Sequence, residues 1–342
     1  MGDSLHSHQR IGAIQSLRAI AAVLVVFQHV TVYTLYARGL DFAPYLRVDY
    51  GRIGVLLFFT ISGFVMVGCM DQGKKFLLNR ATRIYPGFWA AIALSGILLS
   101  SPHFEWHFTL KSAFLIPTTN GNESYKIPYW TLMYEVAFYA FVYALVLLKL
   151  TKRSINTVCI AWVMLLIWVS KYTQISLFLP GPMVLLSTAN VFFISGILCA
   201  LHRDALVRIP SIWLAIAALG CWSIGDMWKD PNPMQGNLVL AFAFAATLVL
   251  SIKHLNLKPL ERLGNFSYGV YLVHVPIALA TIDAMKRIAP GTRTSVLCII
   301  VFISAYLGSS IFGFIEYKFH RAVFGRRTRL RKANPQSITN SF

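Results

Sequence analysis

Arg18 and His29 stand eleven positions apart in the run Ser16 to Val30, whose other residues are almost all apolar. A guanidinium is a fixed cation with a planar fork of donors, suited to carboxylate or phosphate oxygens. An imidazole takes and gives protons near neutral pH. Both are costly inside an apolar helix, so each is a functional candidate. At about 100° per residue they share one helical face, and at ~1.5 Å per residue they lie roughly 16 Å apart along its axis.

Five further groups carry polar chemistry. Ser62-Gly63 falls inside the apolar run Gly54 to Phe64, where a small pair permits close helix approach or a local break. Arg80 and Arg83 are three apart and project together on a helical turn, two guanidiniums for phosphate oxygens, with Tyr85 as a neighbouring aromatic face. Trp130, Tyr134 and Glu135 open the next long apolar run. Glu135 is expected about one turn below the surface opposite the basic loops, at the depth of His29 and as its carboxylate partner. His274 lies in Gly264 to Pro276 and ranks below His29, since a lone apolar-face histidine is more often structural. Glu316 is expected level with Arg18 and able to pair with it.

The elements that must position these groups are membrane helices. The 342 residues are 56% hydrophobic and only 13% charged, against about 25% charged in soluble domains. The fold class is all-α: a polytopic membrane protein of about ten spans, near 14–36, 53–70, 86–101, 131–150, 156–170, 181–201, 209–226, 236–252, 264–285 and 294–317. The first run is too long for a signal-peptide core and reads as a retained span. Residues 1–13 form an N-terminal segment, 14–321 one transmembrane domain and 322–342 a basic tail, with the polar stretch Ser101 to Tyr129 facing outward.

The formal charge of +18 is mostly a topology signal rather than a nucleic-acid footprint. Most of the 31 Lys and Arg fall on the side that holds both chain ends, among them Lys74, Lys75, Arg80, Arg83, Lys152, Arg203, Lys258 and Arg262. The positive-inside rule makes that side, and both termini, cytoplasmic. The five cysteines lie singly with no metal-ligand spacing, so no metal is expected.

Taken in order, Arg18 and His29, Phe58-Phe59-Thr60-Ile61-Ser62-Gly63-Phe64, Arg80-Ala81-Thr82-Arg83-Ile84-Tyr85-Pro86 and Trp130 to Glu135 resemble the acyltransferase-3 family of bacterial inner-membrane O-acyltransferases. The resemblance extends from Ile14 to about Arg321, and the Ile14-Gln15-Ser16-Leu17-Arg18 opening is most similar to its exopolysaccharide acetyltransferase branch. It implies acetyl-CoA or a related acyl-CoA as cytoplasmic donor, and a surface polysaccharide or lipid-linked sugar as acceptor. Arg80, Arg83 and Tyr85 would then hold the nucleotide, with Arg18 on the pantetheine arm or beside Glu316. His29 would be base or acyl relay, oriented by Glu135, and Trp130 and Tyr134 a sugar-stacking platform. Ser62, His274 and Glu316 would line the substrate path. From the residues alone, a proton-coupled transporter or flippase, or a scaffold of an export complex, also stays open; the missing internal repeats and the Arg80–Arg83 loop favour the enzyme.

Overall fold

The computed structural model describes residues 2–100, 106–117, 127–175, 177–178 and 181–324, with side chains from Gly12 onward. The basic tail beyond Phe324 lies outside the described residues, as does part of the stretch 101–129. The chain forms α1 (Gly2–Ala37), α2 (Tyr50–Val67), α3 (Phe76–Leu98), α4 (Leu110–Ala113), α5 (Trp130–Leu147), α6 (Lys152–Ser170), α7 (Asn190–Leu201), α8 (Arg203–Arg208), α9 (Ser211–Trp228), α10 (Pro233–His254), α11 (Lys258–Gly264), α12 (Ser267–Ile288) and α13 (Thr294–Val323). Among the described residues there are no strands. The protein is an all-α polytopic membrane protein, and among the described residues 8 helices are long and apolar enough to cross a bilayer.

The other two expected spans depart from the simple pattern. The one near 86–101 is the outer part of α3, which starts ten residues earlier and carries Arg80 and Arg83 on its first turns. The one near 181–201 is broken. A 3-10 turn over Gly181–Leu186 precedes α7, whose 12 residues reach only about 18 Å of a roughly 30 Å hydrocarbon layer. Asn190 fixes the break by donating its side-chain amide to the Val184 carbonyl at 2.9 Å. In an apolar bundle that bond satisfies a carbonyl the helix leaves free.

α1 is the central post, packed against α2, α11, α12 and α13. Close approach comes from small residues, since lipid offers no hydrophobic drive between helices. α2 and α7 meet reciprocally: a Cβ on Gly63 would strike the Phe193 carbonyl oxygen, and one on Gly196 the Thr60 carbonyl oxygen. Gly51 lies against Gln28 and Gly54 against Val25, so α1 and α2 are antiparallel. The end of the bundle that carries Lys75, Lys152, Arg203, Lys258 and Arg262 is called the basic end below.

The described parts of 101–129 correct the outward-loop expectation. Trp106 lies on Gly96, Trp89 Nε1 donates to the Ala113 carbonyl at 2.8 Å, and the Tyr85 hydroxyl donates to the Phe114 carbonyl at 3.0 Å. The segment thus runs back along α3 toward the basic end, burying Ser112, Ala113 and Leu115. Ile127 and Tyr129 are buried too. α5 therefore starts near the mid-height of α2, where Tyr134 meets Phe59 with ring centroids 5.0 Å apart.

Replacing Gly196 with Leu forces backbone atoms of α2 and α7 apart. Thermal unfolding in detergent should show a loss of about 1–3 kcal/mol. Gly220→Leu on α9, where no atom lies within 4 Å of the added Cβ, should stay within about 0.5 kcal/mol. Equal melting of the two variants would refute the tight α2–α7 contact.

Candidate functional site

A cavity of about 1170 Å³ enters the bundle from the basic end between α2, α3, α5 and α12. Its mouth carries Lys75, Asn79, Arg80, Arg83 and His320, and its far end is closed by Phe58, Thr131 and Tyr271. Arg18 of α1 and Glu135 of α5 line its wall, with Ser62 of α2 also on the lining. The expected joint projection of Arg80 and Arg83 is thus seen at the cavity.

The charges around this cavity hold one another in place. Arg83 Nη1 donates to Glu316 Oε1 at 2.6 Å, tying α3 to α13, and its guanidinium lies 4.9 Å over the Tyr268 ring of α12. Tyr268 in turn donates its hydroxyl to the Ile84 carbonyl at 2.7 Å. Arg80 sits 5.9 Å over the Phe76 ring. Arg18 feels the negative charges of Glu135 and Glu316 and the repulsion of Arg83. The expected Arg18–Glu316 pair is therefore replaced: both are at one level, and the hydrogen bond of Glu316 goes to Arg83.

Glu135 is not the partner of His29. Its carboxylate accepts from the Tyr139 hydroxyl at 2.6 Å, and it faces the cavity. The cause is the low start of α5, which places Glu135 beside Arg18 instead of beside the imidazole. His29 pairs instead with His274, Nδ1 to Nε2 at 2.9 Å, with ring centroids 5.1 Å apart. His274 is fully buried, and its Nδ1 lies 3.0 Å from the Val270 carbonyl. A carbonyl only accepts, so this nitrogen carries the proton and His274 Nε2 is bare. His29 Nδ1 must then donate to it, which leaves the lone pair of His29 on Nε2. The Val25 carbonyl, one turn back on α1, also faces the His29 ring, where with Nε2 bare it can only share the Nδ1 proton. Tyr33 stacks on His29 at 6.0 Å, and Asp49 at the start of α2 is the carboxylate whose charge bears on it.

Three aromatic expectations fail on packing. Tyr85 is two positions from Arg83, about 200° around the helix, so it points away from the cavity to the 106–117 segment. Tyr134 is wholly buried and donates to the Leu177 carbonyl at 3.2 Å. Trp130 packs on Phe178 at 4.7 Å, near mid-height, so the two rings form no outer platform. The sequence reading missed Tyr139, Tyr268, Tyr271 and Asp49. Spacing held a signal for two of them: Tyr139 is one turn from Glu135, and Tyr271 is three residues before His274.

Tyr271 stands at the far end of the cavity beside the imidazole pair: its ring lies 6.0 Å from His274 and 5.9 Å from Phe58. A helical membrane bundle with a basic-mouthed cavity ending beside a buried base has the parts of a membrane group-transfer enzyme. The acyltransferase-3 family model, described as an acyltransferase domain, matches residues 11–313, and the chain belongs to that family of membrane acyltransferases.

Three relatives place it further. It is 26% identical to the exopolysaccharide production protein ExoZ of Rhizobium meliloti over 82% of this chain and 92% of that protein. It is 25% identical to nodulation protein 10 of Rhizobium leguminosarum bv. viciae over 79% of this chain and 83% of that one. It is 24% identical to the peptidoglycan O-acetyltransferase OatA of Listeria monocytogenes over 91% of this chain, which spans 56% of that protein's length. No solved structure matches it.

The Arg83–Glu316 pair sets a stability test. Glu316 is 7% and Arg83 23% exposed, and removing one partner of a buried pair costs about 3–5 kcal/mol. Partial exposure of the arginine puts Arg83→Ala at the lower end of that range. The double variant Arg83→Ala/Glu316→Gln should regain at least half of the loss in detergent unfolding, because the stranded carboxylate is gone. Simple additivity of the two single changes would refute the pairing.

Proposed function

We propose that the protein is an O-acyltransferase of the bacterial inner membrane that moves an acetyl group from acetyl-CoA to a hydroxyl of a surface polysaccharide or its lipid-linked precursor. The observation that carries this reading is the run of the cavity from Arg80 and Arg83 to Tyr271, whose ring lies 6.0 Å from His274 of the His29–His274 pair. The positive-inside rule puts the basic end, and both chain ends with it, in the cytoplasm, where acyl-CoA is found. The names of two relatives, a peptidoglycan O-acetyltransferase and an exopolysaccharide production protein, support a glycan acceptor.

In this reading Arg80 and Lys75 meet the nucleotide phosphates at the mouth, while Arg83 stays committed to Glu316. Arg18, Ser62 and the Glu135–Tyr139 pair line the passage for the pantetheine arm and its amides. His29 Nε2 takes the proton from the acceptor hydroxyl as its oxygen attacks the thioester carbon. The C–S bond breaks, and the departing thiolate leaves as the thiol by taking up that proton. His274 positions the base: by accepting from Nδ1 it holds the tautomer whose lone pair is on Nε2, the task a carboxylate performs in a triad. Asp49 adds its charge in support of the transient imidazolium.

The test is CoA release by the purified protein in nanodiscs, with and without glycan acceptor. General-base loss costs about 10²–10⁴-fold, so His29→Ala should lower acceptor-dependent kcat/KM by at least that lower bound. Arg80→Ala should raise KM for acetyl-CoA several-fold with kcat little changed, as loss of uniform binding does. Wild-type turnover by normally inserted His29→Ala would overturn the assignment.

A further inference from the structure

We propose that Phe58 and Tyr271 form the acyl-length filter of the transfer site, admitting an acetyl-sized group and excluding longer chains. This rests on the acyl-CoA reading above and specifies which donors it covers.

The cavity has one end near the base, and these two rings close it. Both line the cavity, and Tyr271 is in ring contact with His274 on its far side. Phe58 also packs against a second apolar cluster that holds Val26, Val30 and Val270, the walls around His29. An acyl carbon approaching the imidazole pair from the cavity must therefore pass between or against Phe58 and Tyr271. Neither His29 nor His274 lines the cavity itself.

The two rings differ in how firmly they are held. Tyr271 donates its hydroxyl proton to the Pro128 carbonyl at 2.9 Å, so the 2.5 Å contact with Thr131 Oγ1 is one in which Thr131 donates. Swinging Tyr271 aside would break two buried hydrogen bonds. Those bonds also pin the buried start of α5. Phe58 has no polar atom and is held by packing alone, so its side-chain volume sets the room beside a fixed post. Val55, one turn away on α2, and Leu132 complete an apolar end wall. Such a wall discriminates by size: one methylene in a hydrophobic pocket is worth roughly 10–200-fold in kcat/KM.

The experiment compares acetyl-, propionyl- and butyryl-CoA as donors for purified protein in nanodiscs, read as CoA release with a glycan hydroxyl acceptor. Wild type should prefer acetyl over butyryl by roughly 100-fold or more, two methylenes at the lower bound each. Phe58→Ala should narrow that ratio at least ~10-fold, mainly by raising butyryl turnover. Phe58→Leu, which keeps apolar packing, should narrow it in the same direction and serves if the alanine variant fails to assemble. Unchanged chain-length preference in an active Phe58→Leu or Phe58→Ala protein overturns the filter while leaving the acyl-CoA reading intact. Absence of CoA release from every donor by wild type overturns that reading and the filter with it.

Discussion

The structure turns on the cost of charge in an apolar bundle. Arg18, Arg83, Glu135 and Glu316 come from four different helices, α1, α3, α5 and α13, and gather around one cavity. Any one of them alone would be expensive there. Together they offset one another: Glu316 is bonded by Arg83, Glu135 is bonded by Tyr139, and Arg18 lies in the field of both carboxylates. The arrangement also fixes the helices. The Arg83–Glu316 bond and the Tyr268–Ile84 bond tie α3 to α13 and α12, so the basic mouth has a rigid rim.

Irregular backbone does the remaining positioning. Two places depart from full-length spans: the half-length α7 with its 3-10 approach, and the return of residues 106–117 along α3 ahead of α5. Side chains satisfy carbonyls in both, Asn190 that of Val184 and Trp89 and Tyr85 those of Ala113 and Phe114, as non-helical backbone at membrane depth requires. Their effect is on depth. Starting α5 at mid-height carries Thr131 to the end of the cavity and Glu135 into its wall. A full-height α5 would instead have set Glu135 beside His29.

The sequence made the helical membrane class and the outlying polar residues plain, because apolar runs and rare charges are local signals. Eight of the runs are spans in the structure by length and apolarity. The shared face of Arg80 and Arg83 was also legible from their three-residue spacing. Depth was not. Assigning Glu135 to His29 required every helix to start at a membrane surface, and nothing local in Pro128 to Trp130 reveals the re-entrant segment before it. Tyr85 was misplaced for a simpler reason, since helical angle alone sets it opposite Arg83. His274 was seen but undervalued. Its pairing with His29 joins residues 245 positions apart, which no spacing rule reaches.

The pairing changes what kind of base His29 would be in the proposed transfer. A histidine held by a carboxylate gains a fixed negative charge beside the cation formed during proton transfer. One held by a neutral imidazole gains orientation with little charge compensation. Here the order of acceptors, Val270 carbonyl to His274 to His29, directs one lone pair outward from the dyad. The nearest compensating charge is Asp49, on the side away from the basic end. Transfer to an acceptor arriving from that side would therefore form its imidazolium between the acceptor and Asp49. In the proposed transfer the cavity, on the other side of Tyr271, would present its cations to the permanently anionic phosphates of the donor. Separating the two keeps the arginines that would bind phosphate from raising the cost of protonating the base.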